Sequence, residues 1–208
     1  MHFPDGYLSS RAAILSATEA NASNVDSIEC PVRGPNATSL FIDAVHHEGS
    51  NPGNSMLILT SGLHGVEGPV GAAVQLAAID QWNKLERRPC LLVLHALNPH
   101  GFAWSRRQDA SGIDLNRNFL GDQESYQGVD PVYTDLDPLL NPKRPPGFDG
   151  FLLRSALTTA RIGLPKLKQV LAEGQFEFPK GLFFGGKEPS WTMQIFQQRL
   201  REWVGETK

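Results

Sequence analysis

A histidine and a glutamate three residues apart, in a run dense with glycine, are the first residues here whose types and spacing suggest chemistry. The run is Ser61-Gly62-Leu63-His64-Gly65-Val66-Glu67-Gly68. Neutral imidazole nitrogen and carboxylate oxygen are ligands that suit zinc. If a tight turn holds them, His64 and Glu67 can converge on one ion, and glycines at 62, 65 and 68 would let the backbone make that turn. The alternative is a glycine-rich turn carrying two polar surface residues, and so short a spacing does not choose between the two.

A second cluster follows in Asn98-Pro99-His100-Gly101, Trp104-Ser105-Arg106-Arg107 and Gly112-Ile113-Asp114-Leu115-Asn116-Arg117-Asn118-Phe119. Arginine clamps carboxylates because its planar fork donates two parallel hydrogen bonds. A further arginine near a metal can stabilise an oxyanion as a tetrahedral intermediate forms. Asp114 could accept the other ring N–H of a metal-bound histidine and fix its tautomer. Any one of these arginines taken singly would read as a solvated surface charge.

These residues need elements to position them. Residues 7–20 read as a surface helix, with Leu8, Ala12, Ile14 and Leu15 as its apolar positions, broken by Asn21 to Asn24. Residues 39–46 read as a strand, and Asn51-Pro52-Gly53-Asn54 as a turn. Met56-Leu57-Ile58-Leu59-Thr60 is apolar on both faces, the pattern of a central strand in a covered sheet. Residues 69–83 have helical spacing, with Val70, Ala73, Val74, Ala77 and Ala78 on one face. Residues 90–95 form a second doubly buried strand, so 56–95 is a βαβ unit with parallel strands. Its first loop lies beyond the carboxyl end of a strand, where open α/β sheets bind ligands. A long polar loop spans 98–118, and 130–150 is an irregular excursion rich in proline, aspartate and glycine. Residues 151–173 resume helical spacing with an interruption at Pro165; 181–189 is a glycine-rich loop, and 191–203 a last amphipathic helix.

HGVEG at 64–68, NPHG at 98–101, SRR at 105–107 and GIDLNRNF at 112–119, in that order and strand context, resemble the carboxypeptidase A-like zinc metallopeptidases. They are most similar to a bacterial branch with HGVEG and DLNRNF motifs and a GLFFGG-like loop, as at 181–186. The resemblance covers roughly residues 40–190. It implies an α/β three-layer sandwich, with a mixed, largely parallel sheet flanked by helices, in a single catalytic domain. It also implies zinc held by His64 and Glu67, and Arg106 (or Arg107, one register away) on the scissile carbonyl. Asn116 and Arg117 would grip the substrate's terminal carboxylate, and Asp114 would stand behind His64. The implied reaction is hydrolysis of a C-terminal peptide bond. Relatives acting on N-acyl amino acids, aspartoacylase and succinylglutamate desuccinylase, offer a zinc amidohydrolase as the alternative.

The family's pattern also needs a later zinc histidine and a glutamate base. Histidines here stand only at 2, 46, 47, 64, 95 and 100, and none of the late glutamates lies in a matching context. The expectation is therefore an incomplete site in a C-terminally truncated domain, weak zinc binding and little or no turnover, unless His46 or His47 swings in as a third ligand. A non-catalytic fragment keeping the carboxylate clamp is the third reading.

Composition bounds the partners. A formal net charge of −3 over 208 residues gives no argument for nucleic acid or an anionic membrane as main partner. The expected partner is a peptide or small amide with a free carboxylate. Cys30 and Cys90 are too few and too far apart for a disulfide framework. With no signal-like N-terminus, the expected location is the cytoplasm.

Overall fold

The computed structural model describes residues 4–19, 24–50, 55–121, 123–142 and 150–205. The turn expected at 51–54 lies outside them. The chain divides into two compact units: residues 1–111 with 191–208, and residues 112–190.

The first unit is a mixed α/β layer structure. Its strands are β1 (Asn24–Glu29), β2 (Phe41–His47), β3 (Met56–Thr60) and β4 (Cys90–His95), in the spatial order β1-β2-β4-β3. β1–β2 and β2–β4 are antiparallel, and β3–β4 is parallel. The parallel pair is the one joined by a helix, α2 (Gly68–Asn83), as the βαβ reading of 56–95 expects. Alternation along the strands separates two cores. Val45, Leu91 and Val93 face Ile14 of α1 (Tyr7–Glu19) and Ile79 and Trp82 of α2. Ala44, Leu92 and Leu94 face Trp203, Ile195 and Phe196 of α7 (Trp191–Val204). Helices thus cover both faces of the sheet, the three-layer arrangement the sequence implies.

Three local expectations are corrected. β3 is an edge strand, not a central one, and Leu57 and Ile58 are each 41% exposed. Helix α2 buries Ala72, Gln75, Ile79 and Trp82 together with Ala73 of the expected face, while Val70 and Val74 stand exposed. Its residues are apolar almost all round, so spacing alone does not select the face. β1 starts at Asn24, within the stretch read as a break, and its exposed residues are Asn24, Val25, Ser27 and Glu29.

One buried charge pair ties α1 to β2. Asp43 is 1% exposed and accepts from Arg11 Nε at 2.7 Å and Nη2 at 2.9 Å, and from the Ser27 hydroxyl at 2.6 Å. The Arg11 guanidinium also lies 4.2 Å over the Phe41 ring.

The second unit holds α4 (Pro131–Leu140), α5 (Phe151–Ile162) and α6 (Leu164–Glu173). α4 occupies part of the stretch read as irregular. The break between α5 and α6 falls at Gly163, in the left-handed region at φ +85, and Pro165 opens the first turn of α6. Tyr133, Leu136, Val170, Leu115 and Phe184 are buried here. Among the described residues, no helix is long and apolar enough to cross a membrane.

Arg11→Met removes the partner of a buried carboxylate and is expected to cost about 3 kcal/mol. Urea denaturation of the two proteins checks this, and a loss under about 1 kcal/mol would mean that Asp43 finds other compensation.

Candidate functional site

The glycine-rich loop leaves the carboxyl end of β3 and enters α2 through a 3-10 turn at Gly65–Glu67. Of its glycines, Gly62 has the left-handed backbone, at φ +66. Gly65 is needed for a different reason. A Cβ there would lie 1.9 Å from the carbonyl carbon of Gly101, so the loop's backbone rests directly on α3 (Pro99–Ala103).

His64 is 8% exposed, whereas the Glu67 side chain is 67% exposed. His64 Nδ1 and Glu67 Oε1 are 3.2 Å apart. Two ligands about 2.0–2.1 Å from a tetrahedral zinc lie about 3.3 Å apart, so this donor pair fits two corners of such a site. A catalytic zinc takes three protein ligands. Among the described residues, no group of three or more His, Cys, Asp or Glu could hold a metal ion. The fit is therefore partial.

Strand direction removes the suggested substitute. β2 runs antiparallel to β4, so His46 and His47 pair with Leu92 and Leu91, near the start of β4. The His64 loop follows the other end of the parallel pair. His47 is instead packed against Trp82, with ring centroids 5.3 Å apart.

Asn98 gives the NPHG segment a structural task. Its side-chain oxygen accepts from Gly101 N at 2.7 Å and caps α3. Its amide nitrogen donates to Arg107 O at 3.3 Å and lies 3.5 Å from Leu63 O. One buried amide thus anchors the loops before His64 and after Arg106. The Arg106 side chain is exposed, and Arg107 is half-buried. Burial and the nearby Arg106 charge hold the His100 imidazole below its usual range.

Behind the glycine-rich loop is a polar cluster that sequence reading missed. Gln75, on α2, donates from Nε2 to Leu59 O at 2.9 Å and Leu94 O at 3.0 Å. With its nitrogen so used, Gln75 Oε1 is left as an acceptor. The Ser61 hydroxyl lies 2.8 Å from it and His95 Nδ1 3.0 Å, and Ser61 Oγ and His95 Nδ1 are 2.8 Å apart. With its hydrogen on Nδ1, the imidazole avoids setting Nδ1 against Gln75 Oε1 as acceptor on acceptor, and that hydrogen and the Ser61 hydroxyl hydrogen serve the three contacts between them. Burial is the main cause that pushes the His95 pKa down to about 4, with Asp43 opposing and Arg11 assisting. No sequence spacing signals this cluster, whose members are joined only by the β3–β4 pairing and the α2 crossover.

In the second unit, Asp114 is fully buried. Its side chain accepts from Asn116 N at 3.1 Å and caps a 3-10 turn at Leu115–Arg117. Asn116 is exposed and Arg117 half-buried. Arg117 Nη1 donates to the Asn116 carbonyl at 3.1 Å, and its buried Nε has no hydrogen-bond partner among the described residues. A Cβ at Gly174 would lie 2.7 Å from Arg117 Cδ, so the stem of Arg117 packs against that glycine. Asn118, invisible as a functional element in the sequence, holds the glycine-rich 181–189 loop. Its amide nitrogen donates to Gly185 O at 2.7 Å and Glu188 O at 3.0 Å, and its oxygen accepts from Ser190 N at 2.8 Å.

His95 couples pH to stability. In the unfolded chain it titrates near the ordinary histidine value, so between that value and about 4 the unfolded state binds more protons. Stability is full above about pH 6.5 and falls as pH drops toward 4, by up to about 3 kcal/mol. His95→Asn, which keeps a donor near Nδ1, is expected to flatten that slope; urea midpoints at neutral and acid pH for both proteins measure it.

The family model described as "Protein of unknown function (DUF2817)" matches residues 3–208. No curated protein matched the chain.

Proposed function

We propose that this DUF2817 chain, a member of that family over residues 3–208, carries part of a zinc-dependent carboxypeptidase-like hydrolase site. The observation that carries the reading is the 3.2 Å approach of His64 Nδ1 to Glu67 Oε1 at the carboxyl end of the β3–β4 pair. His64 and Glu67 would hold the metal, which when bound supplies Lewis-acid polarisation and an acidified water. Arg106 donates to a carbonyl oxygen as it gains charge, a role its exposed side chain supports better than half-buried Arg107 does. Asn116 and Arg117 grip a free carboxylate, and the pinned stem and unpaired Nε of Arg117 support that assignment. For Asp114 the family resemblance alone suggests a place behind a metal-bound histidine. The substrate class is a peptide or small amide ending in a carboxylate.

Two metal ligands make a weak site, and none of the late glutamates lies in a context matching the family's general base. The chain alone is therefore expected to bind carboxylates and to turn over little or nothing. The unpaired thiols Cys30 and Cys90 support a reducing, cytoplasmic setting.

Calorimetry on the 208-residue chain tests the reading in two steps. Zinc is expected to bind weakly and to lose its site in His64→Ala and in Glu67→Ala. An N-acetyl amino acid is expected to bind more tightly than its C-terminal amide, and Arg117→Ala to weaken it by about 2 kcal/mol, or roughly 30-fold. Zinc binding indifferent to His64 would sink the metal assignment. Equal binding of acid and amide would sink the clamp.

A further inference from the structure

Helix α5 (Phe151–Ile162) is turned inside out. Its half-buried positions are Ser155, Thr158, Thr159 and Ile162, and it buries no residue fully. Its outward arc is apolar: Leu152 is 82% exposed, Leu153 66% and Leu157 62%, with exposed Ala156 and Ala160 between them. Leu164, at the start of α6, is also exposed. A helix folded only against its own unit would present the opposite face.

The charges around that arc are of one sign. From Phe151 to Ala172 the sequence contains Arg154, Arg161, Lys166 and Lys168 and no acidic residue, in a chain whose net charge is −3. On a helical wheel Arg154 and Arg161 fall together at one margin of the leucine arc. Lys166 is paired with Asp130 at 2.9 Å, and Arg154, Arg161 and Lys168 are exposed.

We infer that α5 docks on an anionic lipid surface, its leucine arc entering the acyl boundary and Arg154 and Arg161 lying at the level of the headgroups. Leucines flanked by arginines are the composition of an interfacial helix, and arginine stems span the apolar-to-polar boundary. The arc contains no hydrogen-bonding side chain that could fix register against a protein. Such a surface has affinity without directional specificity, which a fluid bilayer accepts. In a second copy of the chain, an antiparallel two-fold α5 contact would bring the arginine margins together. The overall charge, which alone argues against a membrane partner, conceals this local reversal.

Vesicle co-sedimentation of the 208-residue chain tests the inference. One set of vesicles is pure phosphatidylcholine; the other has three parts phosphatidylcholine to one part phosphatidylserine. The chain is expected to sediment with the mixed vesicles, to stay in the supernatant with the neutral ones, and to be released by salt. Arg154→Gln and Arg161→Gln are each expected to weaken partitioning about fivefold. The double variant L152S/L157S should weaken it by more than about tenfold, with far-ultraviolet circular dichroism unchanged because both leucines are exposed. No sedimentation with either vesicle, equal sedimentation with both, or wild-type binding by L152S/L157S overturns the proposal. So does a dimer in light scattering that L152S/L157S dissolves, which would make a second copy the occupant, or α5-dependent capture of a protein without vesicle binding.

Discussion

Gln75 sits on a helix, yet its amide completes the hydrogen bonding of two strands. By donating to Leu59 O and Leu94 O, it fixes where β3 and β4 end relative to each other. Its oxygen then meets Ser61 and His95, the first residue after β3 and the last residue of β4. The loop carrying His64 and Glu67 begins directly after Ser61, so its starting point is set by a buried amide within the helix of the βαβ crossover. A neutral, buried His95 belongs to the same constraint, since a charged imidazole here would meet a burial cost that the nearby Asp43 offsets only in part.

A second buried amide has the complementary task. Asn98 caps α3 and reaches the backbone on either side of it, at Leu63 and Arg107. Both amides bind backbone carbonyls rather than ligands, and both hold loops whose own sequences are too glycine-rich or polar to pack. The exposed members, Glu67 and Arg106, are thereby left with their side chains outward while their main chains are pinned.

The sequence made the βαβ unit legible because its signals are local: an apolar run, a glycine-rich turn, an apolar helix and a second apolar run. It could not distinguish an edge strand from a central one. Met56 to Thr60 is apolar enough for either place, and only the strand order shows β3 to have one open side. The face of α2 was hidden for a similar reason, with Val70 and Val74 as apolar as the residues actually buried. At the site, HxxE spacing was readable because a single turn delivers both side chains. Gln75, Ser61 and His95 were unreadable, since residues 14 to 34 positions apart meet only after the strands pair. His46 and His47 looked available until strand direction placed them at the wrong end of the sheet.

The contact of Gly65 with Gly101 changes how the two glycine motifs are to be understood. Backbone lies on backbone there, with no side chain between, and a methyl group on Gly65 would overlap the main chain of α3. Gly101 is confined in turn by Asn98 and by the carbonyl of Gln108. Substitutions at 65 and at 101 would therefore not act independently, because a side chain at 65 must displace the Gly101 backbone, and one at 101 must displace the Asn98 amide that caps the same helix. HGVEG and NPHG are one three-dimensional unit written in two places, and a chain that alters either half must repack both.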